Sequence, residues 1–110
     1  MKTQQIGLTT SVTATGALTR LRFVGLLGAV CAAGAKALGT AEANTDIGEQ
    51  APVNTHGILQ VEAGAVIAAG AEVESDANGK AITKAAGIGN GFALDAASAS
   101  GDIIRIVRGI

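Results

Sequence analysis

Catalysis in this chain would have to start from very few residues. There is one cysteine, Cys31, and one histidine, His56. A thiolate nucleophile or metal ligand needs a neighbour that lowers its pKa or shares the ion. Cys31 stands instead in Gly28-Ala29-Val30-Cys31-Ala32-Ala33-Gly34, surroundings that suit a small buried hydrophobe. His56 precedes Gly57 and has no His-x-x-x-His or Cys-x-x-Cys companion, so it reads as a surface turn residue. Spacing leaves a Cys31–His56 dyad open, because such partners meet in space, but the apolar setting of Cys31 argues against it. The carboxylates are scattered, as solvated ones are. An active site needs a nucleophile, a base and an orienting group that converge. The expectation is no catalytic set, no metal site and no cofactor.

Two segments imitate chemical motifs. Gly87-Ile88-Gly89-Asn90-Gly91 has the composition of a phosphate-cradling loop but lacks the Gly-Lys-Ser/Thr ending and a following helix, so it reads as a turn. Glu74-Ser75-Asp76 looks like the tip of a lipoyl-carrier domain. The modified lysine of that motif is replaced by Ala77, and Lys80 comes three residues late on a strand. The swinging-arm chemistry is therefore not available there.

The cations are as sparse as the nucleophiles. Lys and Arg number 8 against 9 Asp and Glu, a formal net charge of −1. Without a basic block or an aromatic stacking platform, nucleic acid is not an expected partner. Arg20, Arg22, Arg105 and Arg108 remain as candidate contacts to an acidic protein surface.

The elements that carry these residues are strands. The chain of 110 residues holds one domain, and Val, Ile, Leu and Phe make up 28 residues, enough for a thin core. Sixteen glycines break the alanine-rich stretches too often for helices but suit tight turns between short strands. Residues 1–17, rich in Thr, Gln and Ser, place Ile6, Leu8 and Val12 at even positions, an extended arm or edge strand. Residues 18–110 form the body. Leu18–Val24 alternates, with Arg20 and Arg22 opposite Leu21 and Phe23. Ile58–Ala63 puts Leu59 and Val61 on one face, and Asp102–Ile110 is apolar on both. Asp76-Ala77-Asn78-Gly79 reads as a four-residue hairpin loop pairing Ser75 with Lys80 and Val73 with Ile82.

The apolar run Phe23–Ala35 could mimic a signal peptide with an Ala-x-Ala exit at Ala33-Gly34-Ala35. A polar stretch precedes it where a basic region belongs. The run is also too short to cross a bilayer and is cut by Gly25, Gly28 and Gly34. It reads as buried strand-turn-strand, without a membrane partner. A faint repeat links the halves: Gly39-x-Ala41, Gly48-Glu49 and Gly57 are echoed by Gly91-x-Ala93, Gly101-Asp102 and Gly109. Two related hairpins suit an all-β fold, a small barrel or jelly-roll-like sandwich.

With glycines and strands placed, residues 37–108 resemble the small capsid cement (head-decoration) proteins of tailed bacteriophages. The resemblance rests on Gly57-Ile58-Leu59-Gln60-Val61-Glu62-Ala63-Gly64, Ile67-Ala68-Ala69-Gly70-Ala71-Glu72-Val73, the Asp76–Gly79 turn, Gly89 to Leu94, and Gly101-Asp102-Ile103-Ile104-Arg105-Ile106. It implies a compact barrel or jelly roll on the outer capsid surface of the virion. There it would act as a homodimer or homotrimer over junctions between major capsid protein subunits. The other reading is a secreted or periplasmic β-domain with a cleaved N-terminal segment.

Overall fold

The structure, a computed structural model, describes residues 4–109. Those residues form eight strands: β1 (Gln5–Thr13), β2 (Phe23–Gly25), β3 (Ala37–Ala41), β4 (Gln50–Glu62), β5 (Glu72–Ser75), β6 (Ala81–Thr83), β7 (Gly91–Ala93) and β8 (Ile103–Arg108). All belong to one antiparallel sheet ordered β2-β3-β4-β8-β7-β5-β6, with β1 added to β4. The sheet curls into a nearly closed barrel. Its two ends are joined by backbone hydrogen bonds from Phe23 N–H to the Gly79 carbonyl (2.6 Å) and from Gly34 N–H to the Ser75 carbonyl (2.9 Å).

The long strand β4 organises the molecule. Its odd positions, Ala51, Val53, Leu59 and Val61, are all fully buried, the period-2 signature of a strand with one face on the core. β1 pairs with it from Thr13↔Gln50 to Gln5↔Ile58, and β8 pairs from Glu62↔Ile103 to Gly57↔Arg108. The end of β8 and the start of β1 therefore meet at the same point of β4. Ile104 and Ile106 bring the second large apolar pair into the core.

Two local expectations need correction. Leu18–Val24 is not one strand: Arg20–Arg22 form a turn, and only Phe23–Gly25 continue as β2. Leu21 explains the break. It adopts a left-handed φ of 64° so that its side chain can be buried, while its N–H donates to the Ala41 carbonyl. The β5–β6 hairpin is also one residue out of the register favoured by side-chain pairing. Ser75 faces Ala81, Glu74 faces Ile82 and Val73 faces Thr83. The loop decides. It has three residues, Ala77 to Gly79, closed by the Asp76 N–H on the Lys80 carbonyl. Asp76 Oδ1 accepts the N–H groups of Asn78 (2.8 Å) and Lys80 (2.9 Å), and Gly79 takes φ 78°. A type I turn followed by a left-handed residue fixes that pairing. Glu74 does not suffer from it, because its Oε1 accepts the N–H groups of Ala85 and Gly87.

The faint glycine repeat proves to be a duplication of the whole frame. Phe23↔Thr40 and Val24↔Gly39 in the first half correspond to Glu72↔Phe92 and Val73↔Gly91 in the second. Thr40↔Asn54 and Ala41↔Val53 correspond to Phe92↔Val107 and Ala93↔Ile106. The bridge Leu18↔Thr45 matches Ile67↔Ala97, and Val24↔Val30 matches Val73↔Thr83, with each arm of the second hairpin two residues longer. Even the hairpin tips agree. Gly25 N–H to the Ala29 carbonyl, with left-handed Gly28, repeats Asp76 N–H to the Lys80 carbonyl with left-handed Gly79. β4 is shared: its first part closes one copy and its last part opens the other.

Candidate functional site

β1 carries the first group of candidate residues. Ile6 and Leu8 are exposed, whereas Val12 is partly buried against the cluster of Ala14, Leu18 and Val24. Among the described residues β1 pairs with β4 only, so its far side is a sheet edge. Natural edges are usually blunted by lysine, proline or inward-pointing charge. QIGLTTSVT contains no charged residue and no proline. Behind the edge Thr9 Oγ1 donates to Asn54 Oδ1 (2.8 Å) and Gln50 Nε2 to Thr13 Oγ1 (2.7 Å), while the pairing with β4 shifts register between Ile6 and Leu8 and again between Leu8 and Thr9.

The four arginines are not gathered into one patch. Arg20 is exposed at the turn, its backbone N–H donating to Asn44 Oδ1 (2.8 Å). Arg22 pairs through Nε with Glu62 Oε1 at 3.0 Å, and Lys80 Nζ lies 3.4 Å from the other carboxylate oxygen. Burial tends to raise the Glu62 pKa. The hydrogen bond from Arg22 and the charges of Arg22 and Lys80 outweigh it and hold the carboxyl below its ordinary value. Arg105 grips Asp95 with Nε and Nη2, each at 3.0 Å, and this hydrogen-bonded carboxylate raises the guanidinium pKa. These bidentate and bridged contacts bind the loops to the barrel and leave Arg22 and Arg105 engaged within the chain.

Arg108 behaves differently. It sits at the end of β8, where Nη2 donates to the Ala37 carbonyl (3.0 Å) and Nη1 is buried with no hydrogen-bond partner. Burial draws its pKa down, while the nearby Cys31 acts in the opposite direction. Arg108 lines an open cavity of about 520 Å³ together with Lys36, Leu38 and Phe92.

Cys31 is wholly buried, its Sγ directed at the carbonyls of Ala35 (3.4 Å) and Ala32 (3.5 Å), and burial pushes the thiol pKa up. His56 is exposed and shares a hydrogen bond with Thr55 Oγ1 (3.0 Å). One is in the core and the other on the surface, so they form no dyad. The acidic motif at 74–76 is used up in capping turns, and Asn90 of the glycine loop accepts the Ala37 N–H (2.9 Å) and donates to the Ala35 carbonyl (3.0 Å). Among the described residues no group of three or more His, Cys, Asp and Glu is placed to hold a metal ion. Among the described residues no helix is long and apolar enough to cross a membrane.

The apolar run at 23–35 is partly a correction. Phe23, Val24 and Cys31 are in the core as expected, but Leu26 and Leu27 at the hairpin tip are 62% and 85% exposed. The glycines on either side, Gly25 and Gly28, were the sequence signal for a tip rather than a buried strand. This tip is rigidly tied: Thr15 N–H donates to the Gly28 carbonyl (3.0 Å), and a Cβ on Gly28 would fall 2.3 Å from the Thr13 carbonyl oxygen.

The sequence profile of the phage cement protein family matches residues 1–108. Among solved structures, the N-terminal base of the head fiber protein gp8.5 of bacteriophage phi29 is similar in fold. The TM-score is 0.72 at 20% identity, over 91% of this chain and 92% of that one. No curated protein sequence matches significantly. By the profile match, the chain belongs to the phage cement protein family, structural components on the exterior of the phage capsid.

Proposed function

We propose that this protein binds the outer face of the assembled shell as a homodimer or homotrimer, bridging junctions between major capsid protein subunits, and acts by binding alone. The observation that supports this most directly is the edge of β1. It offers nine residues without charge or proline, with Ile6 and Leu8 exposed along it, the chemistry suited to adding a strand from a neighbour. Arg20 stands ready as a cation for an acidic surface. Several copies held together engage several sites at once, so each contact can be modest. Binding only the assembled state shifts the balance toward it by mass action.

The test is decoration of shells lacking this protein. Replacing Ile6 and Leu8 by lysine blunts the edge without touching the core, and should abolish or strongly weaken decoration. Arg20→Glu should weaken it further, and wild-type affinity should fall as salt rises. Full decoration by the double lysine variant would remove β1 from the contact.

A further inference from the structure

We infer that the cavity beside Arg108 is a receptor for a carboxylate side chain presented by the capsid subunit on which this protein docks. The inference rests on the proposed function for the identity of the partner, and on the cavity alone for its chemistry. The Arg108 guanidinium, whose Nη1 is shielded from solvent and has no hydrogen-bond partner, places beside the cavity a positive charge that no carboxylate of the described residues balances. Leaving a buried donor unsatisfied is costly, and more so when it is charged. Arg22 and Arg105 each found a carboxylate within the chain at 3.0 Å. Arg108 has only the neutral Ala37 carbonyl, at 3.0 Å.

The surroundings define what would complete it. Lys36 lies on the same wall, exposed and held lightly by a 3.3 Å bond from Nζ to the Gly89 carbonyl. The acid already present, Glu72, packs its carboxylate against Gly89, where an added Cβ would fall 1.9 Å from its Oε2, and it forms no ion pair of 4.0 Å or less with Arg108 or Lys36. Two cations therefore face one acid that engages neither. The remaining walls include Leu26, Leu38 and Phe92, so the site suits an Asp or Glu side chain arriving with apolar neighbours. At about 520 Å³ the open cavity falls in the range of small-ligand pockets, with room for an Asp or Glu side chain together with its neighbours. The duplication sharpens the point. The position matching Arg108 in the first half is Thr55, whose hydroxyl is satisfied by the Leu8 carbonyl (3.2 Å), and the position matching Lys36 in the second half is the apolar Ile88. The receptor has no twin.

The experiment uses the full chain and shells of its phage prepared without it. Lys36→Glu and Arg108→Gln should each lower affinity at least about tenfold, with unchanged circular dichroism and a shallower salt dependence than wild type. Since Arg108→Gln could loosen the β3 contact, the exposed Lys36→Glu provides the test free of folding effects. Carbodiimide treatment of decorated shells should join Lys36 Nζ by an amide bond to an Asp or Glu of the major capsid protein, identified by mass spectrometry. Unchanged affinity for Lys36→Glu, or a Lys36 crosslink leading only to another copy of this chain, overturns the inference while leaving shell binding intact. Failure of the wild type to decorate at all overturns the proposed function and this inference with it.

Discussion

The two halves of the barrel share a backbone frame and have divided the work between them. In the second half the matched interior positions are filled by Ile67, Ile104 and Ile106; in the first they are Leu18, Ala51 and Val53. The contrast reverses at the hairpin tips. The second half ends in Ala77-Asn78, whereas the first exposes Leu26-Leu27 on the same three-residue turn. Apolar mass that one half spends inside, the other partly places on the surface. A duplicated frame lets one copy carry stability while the other drifts toward contact, because the shared β4 couples both to a single folding unit.

The largest test of that division lies in the core. Ile106→Ala removes a fully buried side chain from the larger cluster and should cost about 3–4 kcal/mol. Val53→Ala at the matching place in the first half should cost about 2 kcal/mol. Urea unfolding measures both, and equal losses would show the halves to be equally packed. A smaller effect comes from the left-handed position that follows each first bridge. Gly70 holds it at φ 87° with nothing within 4 Å of a Cβ, so Gly70→Ala meets backbone strain alone and should cost about 1–2 kcal/mol. Leu21, at φ 64° in the first half, already bears that strain in exchange for burial. Leu21→Gly should therefore lose less than the usual buried leucine truncation, about 1 kcal/mol, in the same assay.

These pairs also mark where the sequence was legible. Period-2 patterning located Ile58–Ala63 because its alternation is enforced by one buried face, whereas the end strand, apolar on both faces, buries Ile104 and Ile106 fully and Ile103 and Val107 only in part. The Gly-x-Ala and Gly-acidic echoes located the duplication, since glycines at matched turns leave a trace even when side chains diverge. The pattern at Leu18–Val24 misled because a leucine, not a glycine, occupies the left-handed position. The hairpin register misled because side-chain pairing was weighed above the Asp76 cap that sets the loop. The arginine contacts were beyond reach altogether: Arg22 meets Glu62 across 40 residues, and the cavity draws on segments around 36, 90 and 108. Pairing decided by tertiary approach leaves no local spacing to read.

The ion group at the seam gives a smaller effect with a defined sign. Glu62 bridges Arg22 of the first half and Lys80 of the second, and its pKa lies below the ordinary value near 4.5. A carboxylate depressed in the folded state adds stability above its unfolded pKa, and that stability fades as pH falls through the folded value. Unfolding followed from neutral pH downward should show this loss setting in below about pH 4.5. Glu62→Gln should flatten that limb and lower neutral stability by no more than about 1 kcal/mol. An unchanged acid limb would mean that the seam is held by backbone pairing alone.

The smallest change in stability should accompany the sharpest change in contact. Replacing Leu26-Leu27 by Ala-Asn copies the second tip onto the first. Both turns use the same hydrogen bond and the same left-handed glycine, so the backbone has no reason to move. Both leucines are more than half exposed, and surface changes of this kind stay within about 0.5 kcal/mol. If the first half is the contact half, the grafted protein should melt like the wild type yet decorate shells markedly less well. Contiguous exposed leucines on a tethered turn lose little entropy on docking, and their removal takes away buried area directly. Normal decoration by the graft would return the two halves to equivalence and assign the tip's leucines no role in contact.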